Sequence, residues 1–275
     1  MRHMEAMLLF SVLAALASCR GLPLSISGLR PGESPAPAPE EPTQQLVFHT
    51  DPGHPPARPL VRTLTAERDD IAKTLGLSPS EEKIHVYLYH DANTYGEVLA
   101  KKFPMVPNRR AFFIETDTRL EVYAHQSDRV AEDLRHEVGH GYLHSCVPAI
   151  PLWLDEGLAE FFEVPRSHGG LNQPHLQLLS DMMEHNGWQP DLRQLEAIDS
   201  AGDMQQIHYA EAWAWVYFLL RSTPERRELL SDYLAELRDQ GAAKPLSARL
   251  ATQHIQPQRT LAEFLVALKA AQPLD

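Results

Sequence analysis

The segment His136-Glu137-Val138-Gly139-His140 carries two imidazoles and a carboxylate at a spacing that suits metal chemistry. Helical residues four apart lie on one face, one turn from each other, so His136 and His140 could bind one Zn²⁺ together. Glu137 would then lie beside a water molecule on that metal, where a carboxylate can take its proton. Histidines on a helix face with a purely structural role would give the same short pattern.

A zinc site needs a third protein ligand and an open fourth position. The segment that starts at Pro151 reads P-L-W-L-D-E-G-L-A-E-F-F and is predicted to form a second helix. Its apolar stripe is Leu154, Leu158 and Phe161, and Glu156 faces away from that stripe. The link between the two helices is short enough for them to pack antiparallel.

H-E-x-x-H followed by W-L-D-E-G-L-A resembles the gluzincin zinc metallopeptidases of the peptidase-MA-like superfamily, particularly their aminopeptidase-like branch. The resemblance implies a zincin-like fold with Zn²⁺ as the cofactor. It implies His136, His140 and Glu156 as the three zinc ligands. It also implies Glu137 as general base for the attacking water and then as acid for the leaving amine.

Two further roles are implied by the same resemblance. In thermolysin-like members an acidic residue one turn after the ligand glutamate hydrogen-bonds the first ligand histidine, which here assigns Glu160 to His136. The segment Y-A-E-A-W-A-W-V-Y-F-L-L, which starts at Tyr209, resembles the gluzincin segment Y-E-K-G-x-A-x-x-x-Y-L, although its lysine and glycine are replaced. The tyrosine there stabilises the oxyanion, so Tyr209 is the candidate donor, with His208 as an alternative. A solvated helix face for Glu160 and a packing role for Tyr209 are the structural interpretations.

The substrate-binding strand is less clearly marked. The G-A-M-E-N strand with which the aminopeptidase branch grips a free amine is missing, and 110–115 is only a loose positional substitute, so exopeptidase activity is unsupported. In gluzincins the strand that lines the cleft hydrogen-bonds an extended substrate. By its position just before the zinc helix, 119–124 is the expected counterpart.

Three residues around the motif have predictions of their own. His144 continues the row of His136 and His140, but three histidines on one helix row cannot close a tetrahedral site, so it is expected in solvent or behind a ligand. Cys146 is expected to be a lone buried thiol. Gly139 inside a helix costs about 1 kcal/mol relative to alanine, which suggests close approach of a neighbouring element or of substrate, although a relaxed surface position would also permit it.

The order of predicted elements favours the α+β class: a small N-terminal mixed or antiparallel sheet, then a mostly helical half. Alternating apolar residues indicate strands, and apolar residues three to four apart indicate helices. The predicted strands are 44–50, 83–90, 111–115 and 119–124. The predicted helices are 60–75, 91–102, one from Ser127 or Asp128 to about 144, one from Pro151, a short one before 198, 209–221, 224–240 and 260–271.

Composition excludes several classes of protein. The chain has 275 residues and a net charge of −12, so nucleic-acid binding is disfavoured. The mean hydropathy of −0.32 excludes a polytopic membrane protein. Two cysteines exclude a disulfide-stapled scaffold and a cysteine-rich zinc module.

The N-terminus predicts export and anchoring. An apolar run ends in Leu16-Ala17-Ser18-Cys19, which resembles a bacterial lipobox, so 1–18 is predicted to be a lipoprotein signal peptide and Cys19 the lipidated residue. The alternatives are an ordinary signal peptide and a buried hydrophobic N-terminus. Ten of the 22 prolines lie in 20–59, which predicts a proline-rich tether over 19–44 and a folded domain over 45–275.

These observations predict an envelope-tethered zinc metallopeptidase that hydrolyses peptide bonds with a metal-activated water. Its partners would be a peptide or protein substrate in the bacterial cell envelope and the membrane, reached through a lipid anchor at Cys19. The outer membrane or periplasm is the expected location. The alternative is a non-catalytic lipoprotein that retains the peptidase fold for peptide binding or scaffolding.

Overall fold

The computed structural model describes residues 45–104, 109–253 and 256–272. The predicted signal peptide, lipidation site Cys19 and tether (1–44) lie outside the described residues. The strands are β1 (Leu46–Thr50), β2 (Ile84–Tyr89), β3 (Ala111–Glu115) and β4 (Leu120–His125). The α-helices are α1 (Arg58–Leu75), α2 (Ala92–Lys102), α3 (Val130–Cys146), α4 (Leu152–Phe162), α5 (Gln173–Asn186), α6 (Leu192–Glu196), α7 (Gln206–Arg221), α8 (Pro224–Gln240), α9 (Leu246–Gln253) and α10 (Pro257–Ala270).

The four strands form one mixed sheet in the order β1-β2-β4-β3. β1, β2 and β4 run parallel, and β3 pairs antiparallel with β4 to form a hairpin. The predicted strand 119–124 is therefore an inner strand, paired on both sides, and cannot hydrogen-bond an added peptide. The expectation that it lines a cleft is wrong, because the hairpin places β3, not β4, at the edge of the sheet.

One face of the sheet packs against α1 and α3. Its central apolar side chains, Ile84, Val86 and Val122, are fully buried there. α1 begins with proline in its first turn and ends at Gly76, which adopts the left-handed conformation with a φ of 69°. α3 begins at Val130, just after the predicted start at Ser127 or Asp128, and its N-cap residue Arg129 makes no side-chain capping hydrogen bond.

The chain from α3 onward is helical, which confirms the α+β class with its small N-terminal sheet and mostly helical half. The patterns of α5 and α9 were not predicted as separate helices. α4 and α7 approach most closely at Gly157, where an added Cβ would lie 2.5 Å from the carbonyl oxygen of Ala212. Among the described helices, none is long and apolar enough to cross a membrane.

We expect Gly157→Ala to destabilise the protein by about 3 kcal/mol or more, because the new methyl group meets rigid backbone of α7. Gly96→Ala is the matched control, since a Cβ in α2 at that position meets no atom within 4 Å. It should raise the free energy of unfolding by about 1 kcal/mol. Urea unfolding of both variants measures this, and equal stabilities would contradict the close helix packing.

Candidate metal centre

Three buried side chains on α3 and α4 present their ligand atoms to one point. His136 Nε2 lies 3.2 Å from His140 Nε2, and Glu156 Oε2 lies 3.5 Å and 3.6 Å from these two nitrogens. All three residues are at most 2% exposed. The structure thus brings together the three predicted ligands in an arrangement that could hold a metal ion.

The packing of α3 against α4 creates this arrangement. Leu134 and Val138 of α3 and Leu154 and Leu158 of α4 are fully buried and belong to the main hydrophobic core. Burial of these apolar rows leaves the histidine and glutamate faces of the two helices in contact. Contacts that advance along α4 move backward along α3, so the helices are antiparallel, as predicted.

Each ligand histidine is held from behind by a carboxylate. Asp155 Oδ2 lies 2.9 Å from His140 Nδ1, and Glu163 Oε2 lies 2.9 Å from His136 Nδ1. The predicted partner of His136 was Glu160, so this assignment is corrected to Glu163. Seven residues make nearly two full helical turns, which places Glu163 closer in angle to Glu156 than Glu160 is.

Glu160 belongs to a neighbouring part of the same network. Its Oε2 lies 2.8 Å from His175 Nε2 and accepts a hydrogen bond from Asn172 Nδ2 at 3.3 Å. Asn172 Nδ2 also donates to Glu163 Oε1 at 3.1 Å. Glu160 is therefore buried, not solvated. His136, Glu160 and Glu163 form a second group close enough to hold a metal ion, but these hydrogen bonds already engage both carboxylates.

The structure also locates the other residues around the motif. His144 is 1% exposed and lies behind Asp155, which places it behind a ligand and not in solvent. Cys146 is only half-buried, so the prediction of a buried thiol is wrong. Gly139 faces Glu67 of α1, whose Oε1 would lie 3.8 Å from an added Cβ; this is an ordinary contact, not an unusually close one.

Glu137 is buried beside the three ligand atoms. Its Oε2 has no hydrogen-bond partner among the residues that the structure describes. Burial raises the pKa of Glu137, opposed by the nearby imidazoles of His136 and His140. A carboxylate with this environment is a stronger base than one in water.

Tyr209 lies in the first turn of α7 and is fully buried. It precedes by one turn Ala212, whose carbonyl oxygen is the atom that Gly157 approaches. Since Gly157 directly follows Glu156, α7 runs beside the ligand-bearing part of α4. His208, the alternative donor, is engaged in the cap of α7, where its Nδ1 accepts from the backbone of Gln205.

The carboxylates dominate the electrostatics of the centre. Burial alone lowers the pKa of His140, but the negative charges of Asp155 and Glu156 outweigh it and raise that pKa to about 10. Burial raises the pKa of Glu156, while the charge of His140 and hydrogen bonds from His136 and His140 more than reverse this.

Sequence reasoning missed the residues that support the ligands. Asp155 and Glu163 could have been named as candidates beside Glu160, because they lie next to Glu156 and seven residues after it, at the C-cap of the same helix. Asn172 and His175 carry no such signal, since the loop and helix that bring them to α4 follow a turn of unpredictable direction.

The carboxyl group of Glu211 in α7 is buried, so its titration should make the free energy of unfolding depend on pH. Burial raises its pKa to about 7, although Asp191 N and Trp215 Nε1 donate to its Oε1 at 2.6 Å and 3.3 Å. The folded protein therefore binds this proton more tightly than the unfolded chain, and the free energy of unfolding falls as pH rises from about 4.5 to 7. Glu211→Gln keeps both hydrogen bonds and should remove roughly 3 kcal/mol of that pH dependence.

The measurement is the difference in unfolding free energy between wild type and Glu211→Gln from pH 5 to pH 8. Because other groups titrate equally in both proteins, the difference isolates Glu211. Glu228→Gln on the exposed face of α8 controls for the substitution itself. Parallel profiles for wild type and Glu211→Gln would contradict the burial of an ionisable carboxyl.

Part of the chain matches a known protein family. Residues 131–246 match the model of a family described as "Protein of unknown function (DUF1570)". A search of curated proteins found no match. The matched region runs from the start of α3 to the start of α9, so it contains His136, His140, Glu156 and Tyr209, while the four strands precede it. The chain is thus similar, over its helical half, to a family whose description assigns no function.

Proposed function

We propose that this protein is a zinc-dependent metallopeptidase that uses His136, His140 and Glu156 as metal ligands. The observation that carries the proposal is the triangle of their ligand atoms, with sides of 3.2, 3.5 and 3.6 Å. Tetrahedral zinc with bonds of about 2.0–2.1 Å separates its donor atoms by about 3.3 Å. Two histidines and a glutamate fit zinc in type, number and spacing.

The surroundings support a catalytic metal over a structural one. Structural zinc sites have four protein ligands, whereas catalytic sites have three and leave one position to water or substrate. The group described here has three. Glu137 Oε2 is buried and has no hydrogen-bond partner among the described residues, so it could accept a hydrogen bond from a water molecule on the metal.

A bound zinc ion supplies a Lewis acid that polarises a carbonyl group and makes water more acidic. Glu137 accepts the proton of the attacking water and returns it to the leaving amine. Its raised pKa suits both steps, since a carboxyl that is a moderate base also becomes a usable acid. Asp155 and Glu163 fix the ring orientation of His140 and His136 and keep their Nε2 atoms facing the metal.

Tyr209 is the proposed donor to the oxyanion. A phenol that donates to the oxygen on which charge develops stabilises the transition state more than the ground state. The placement of Tyr209 on α7, one turn before the residue that approaches Gly157, supports this role.

A peptide substrate suits the edge strand β3 rather than the predicted 119–124. β3 is the outermost strand of the described sheet and packs beside α3. Its Phe113 stacks near His140, with ring centroids 5.9 Å apart. An extended peptide paired with the outer edge of β3 would therefore run beside the metal ligands.

The test compares metal content and hydrolysis of a peptide library in three purified variants. We expect His140→Ala to lose stoichiometric zinc, because only two ligands remain. Glu137→Gln should retain zinc but lose at least about 10³-fold in kcat, since the base is removed and the ligands are not. Glu132→Gln, on the same helix, is the matched control and should behave as wild type.

Two outcomes would contradict the proposal. If the wild-type protein holds no stoichiometric zinc, zinc is not its cofactor. If Glu137→Gln hydrolyses peptides as fast as wild type, Glu137 is not the general base. Tight peptide binding without turnover, unchanged in Glu137→Gln, would instead identify a non-catalytic peptide-binding protein with the same fold.

We also propose that the protein is tethered to the bacterial envelope through Cys19, on the strength of the sequence Leu16-Ala17-Ser18-Cys19. Cys19→Ser should block lipidation and release the protein from membranes, as fractionation and mobility of the precursor would reveal. If Cys19→Ser is processed and membrane-bound as before, the lipid anchor is refuted.

A further inference from the structure

His144 is a buried imidazole that the proposed mechanism does not use. It lies one turn after His140 on α3 and is 1% exposed. Its Nε2 is 3.1 Å from Asp155 Oδ2, the oxygen that also faces His140 Nδ1 at 2.9 Å. Its Nδ1 is 2.6 Å from Glu115 Oε2, at the end of β3. Two imidazoles thus share one buried carboxylate oxygen, and a second carboxylate holds the outer ring.

The hydrogen-bond partners of both ring nitrogens indicate the protonation state of His144. Carboxylates only accept hydrogen bonds, whereas a neutral imidazole has a single N–H. Both ring nitrogens of His144 face carboxylate oxygens within hydrogen-bond distance, so a neutral ring would leave one nitrogen and one oxygen in contact as two acceptors. An imidazolium satisfies both partners and balances part of their charge.

We propose that His144 is a positioning residue for the metal: an imidazolium, held between Asp155 and Glu115, that fixes Asp155 against His140. The proposal rests on the function proposed above, because it concerns support of the same metal site. Its consequence is that the orientation of a metal ligand depends on a residue at the end of the edge strand.

The physical reason lies in the freedom of Asp155. Its side chain is completely buried, and its Oδ1 has no hydrogen-bond partner among the described residues. Oδ2 therefore carries both contacts, to His140 and to His144. Without the charge of His144, one buried carboxylate would face His140 alone and could rotate away from the position that holds the ring. The charges of Asp155 and Glu115 also raise the pKa of His144 to about 9, against the effect of burial.

The first experiment measures zinc affinity by chelator competition in the whole protein. His144→Gln should weaken zinc binding about 10- to 100-fold, the usual effect of removing a partner behind a metal ligand. Glu115→Gln, which alters a partly exposed residue, should weaken it in the same direction but less. Leu234→Ala, which removes buried apolar contacts in α8, is the control for lost stability and should bind zinc as wild type does. Unchanged affinity in both His144→Gln and Glu115→Gln would overturn the proposal.

The second experiment asks whether the ring orientation changes. Cobalt substituted for zinc should give an altered visible spectrum in His144→Gln, whereas a merely structural role would lower stability and leave the spectrum unchanged. Two-dimensional ¹H–¹⁵N NMR of the wild-type rings should show both nitrogens of His144 protonated at pH 7. A single protonated nitrogen would overturn the proposal even if His144→Gln fails to fold.

These readouts separate this inference from the proposed function. Absence of zinc in wild type would refute the metallopeptidase, and NMR of the same metal-free protein would still decide the state of His144. Conversely, wild-type zinc affinity in both variants would refute the positioning role while leaving hydrolysis and its dependence on Glu137 intact.

Discussion

The structure depends on the burial of more carboxylates than imidazoles in one layer between helices. Glu137, Asp155, Glu156, Glu160 and Glu163 are each at most 5% exposed, and the four imidazoles buried among them belong to His136, His140, His144 and His175. Isolated charges in such a place would cost several kcal/mol each. The cost is offset where a carboxylate oxygen faces a ring nitrogen or an amide, as one oxygen each of Asp155, Glu156 and Glu160 and both oxygens of Glu163 do. A divalent cation would add the positive charge that this layer lacks.

The rest of the fold holds this layer closed. α3 and α4 provide opposite sides, and the contact of Gly157 with α7 closes one flank. α5 contributes His175 to the layer. Asn172, the N-cap residue of α5, contributes its side-chain amide. The sheet closes the other flank, since β3 carries both Phe113 and Glu115 towards the histidine helix. The apolar core and the polar network are thus two faces of the same helices.

Sequence reasoning identified what local periodicity can encode. The two histidines and Glu156 follow from helical spacing and a motif, and the strands and most helices follow from apolar alternation and turn residues. It could not rank Glu160 against Glu163, because both lie on the same side of α4 and the choice depends on how α3 crosses it. Nor could it order the strands, since a hairpin can fold to either side of its neighbour. The partners of His144 come from β3 and α4, and the sequence of α3 does not predict them.

The ligands of the proposed metal site lie close together along the chain, between His136 and Glu156. In contrast, β1 and β2 are paired across an intervening helix, with Leu46 opposite Ile84. Closing a short loop costs less chain entropy than closing a long one. The helical hairpin of α3 and α4 can therefore form before the sheet is complete, and a metal ion that bridges it would favour the folded state from an early stage of folding.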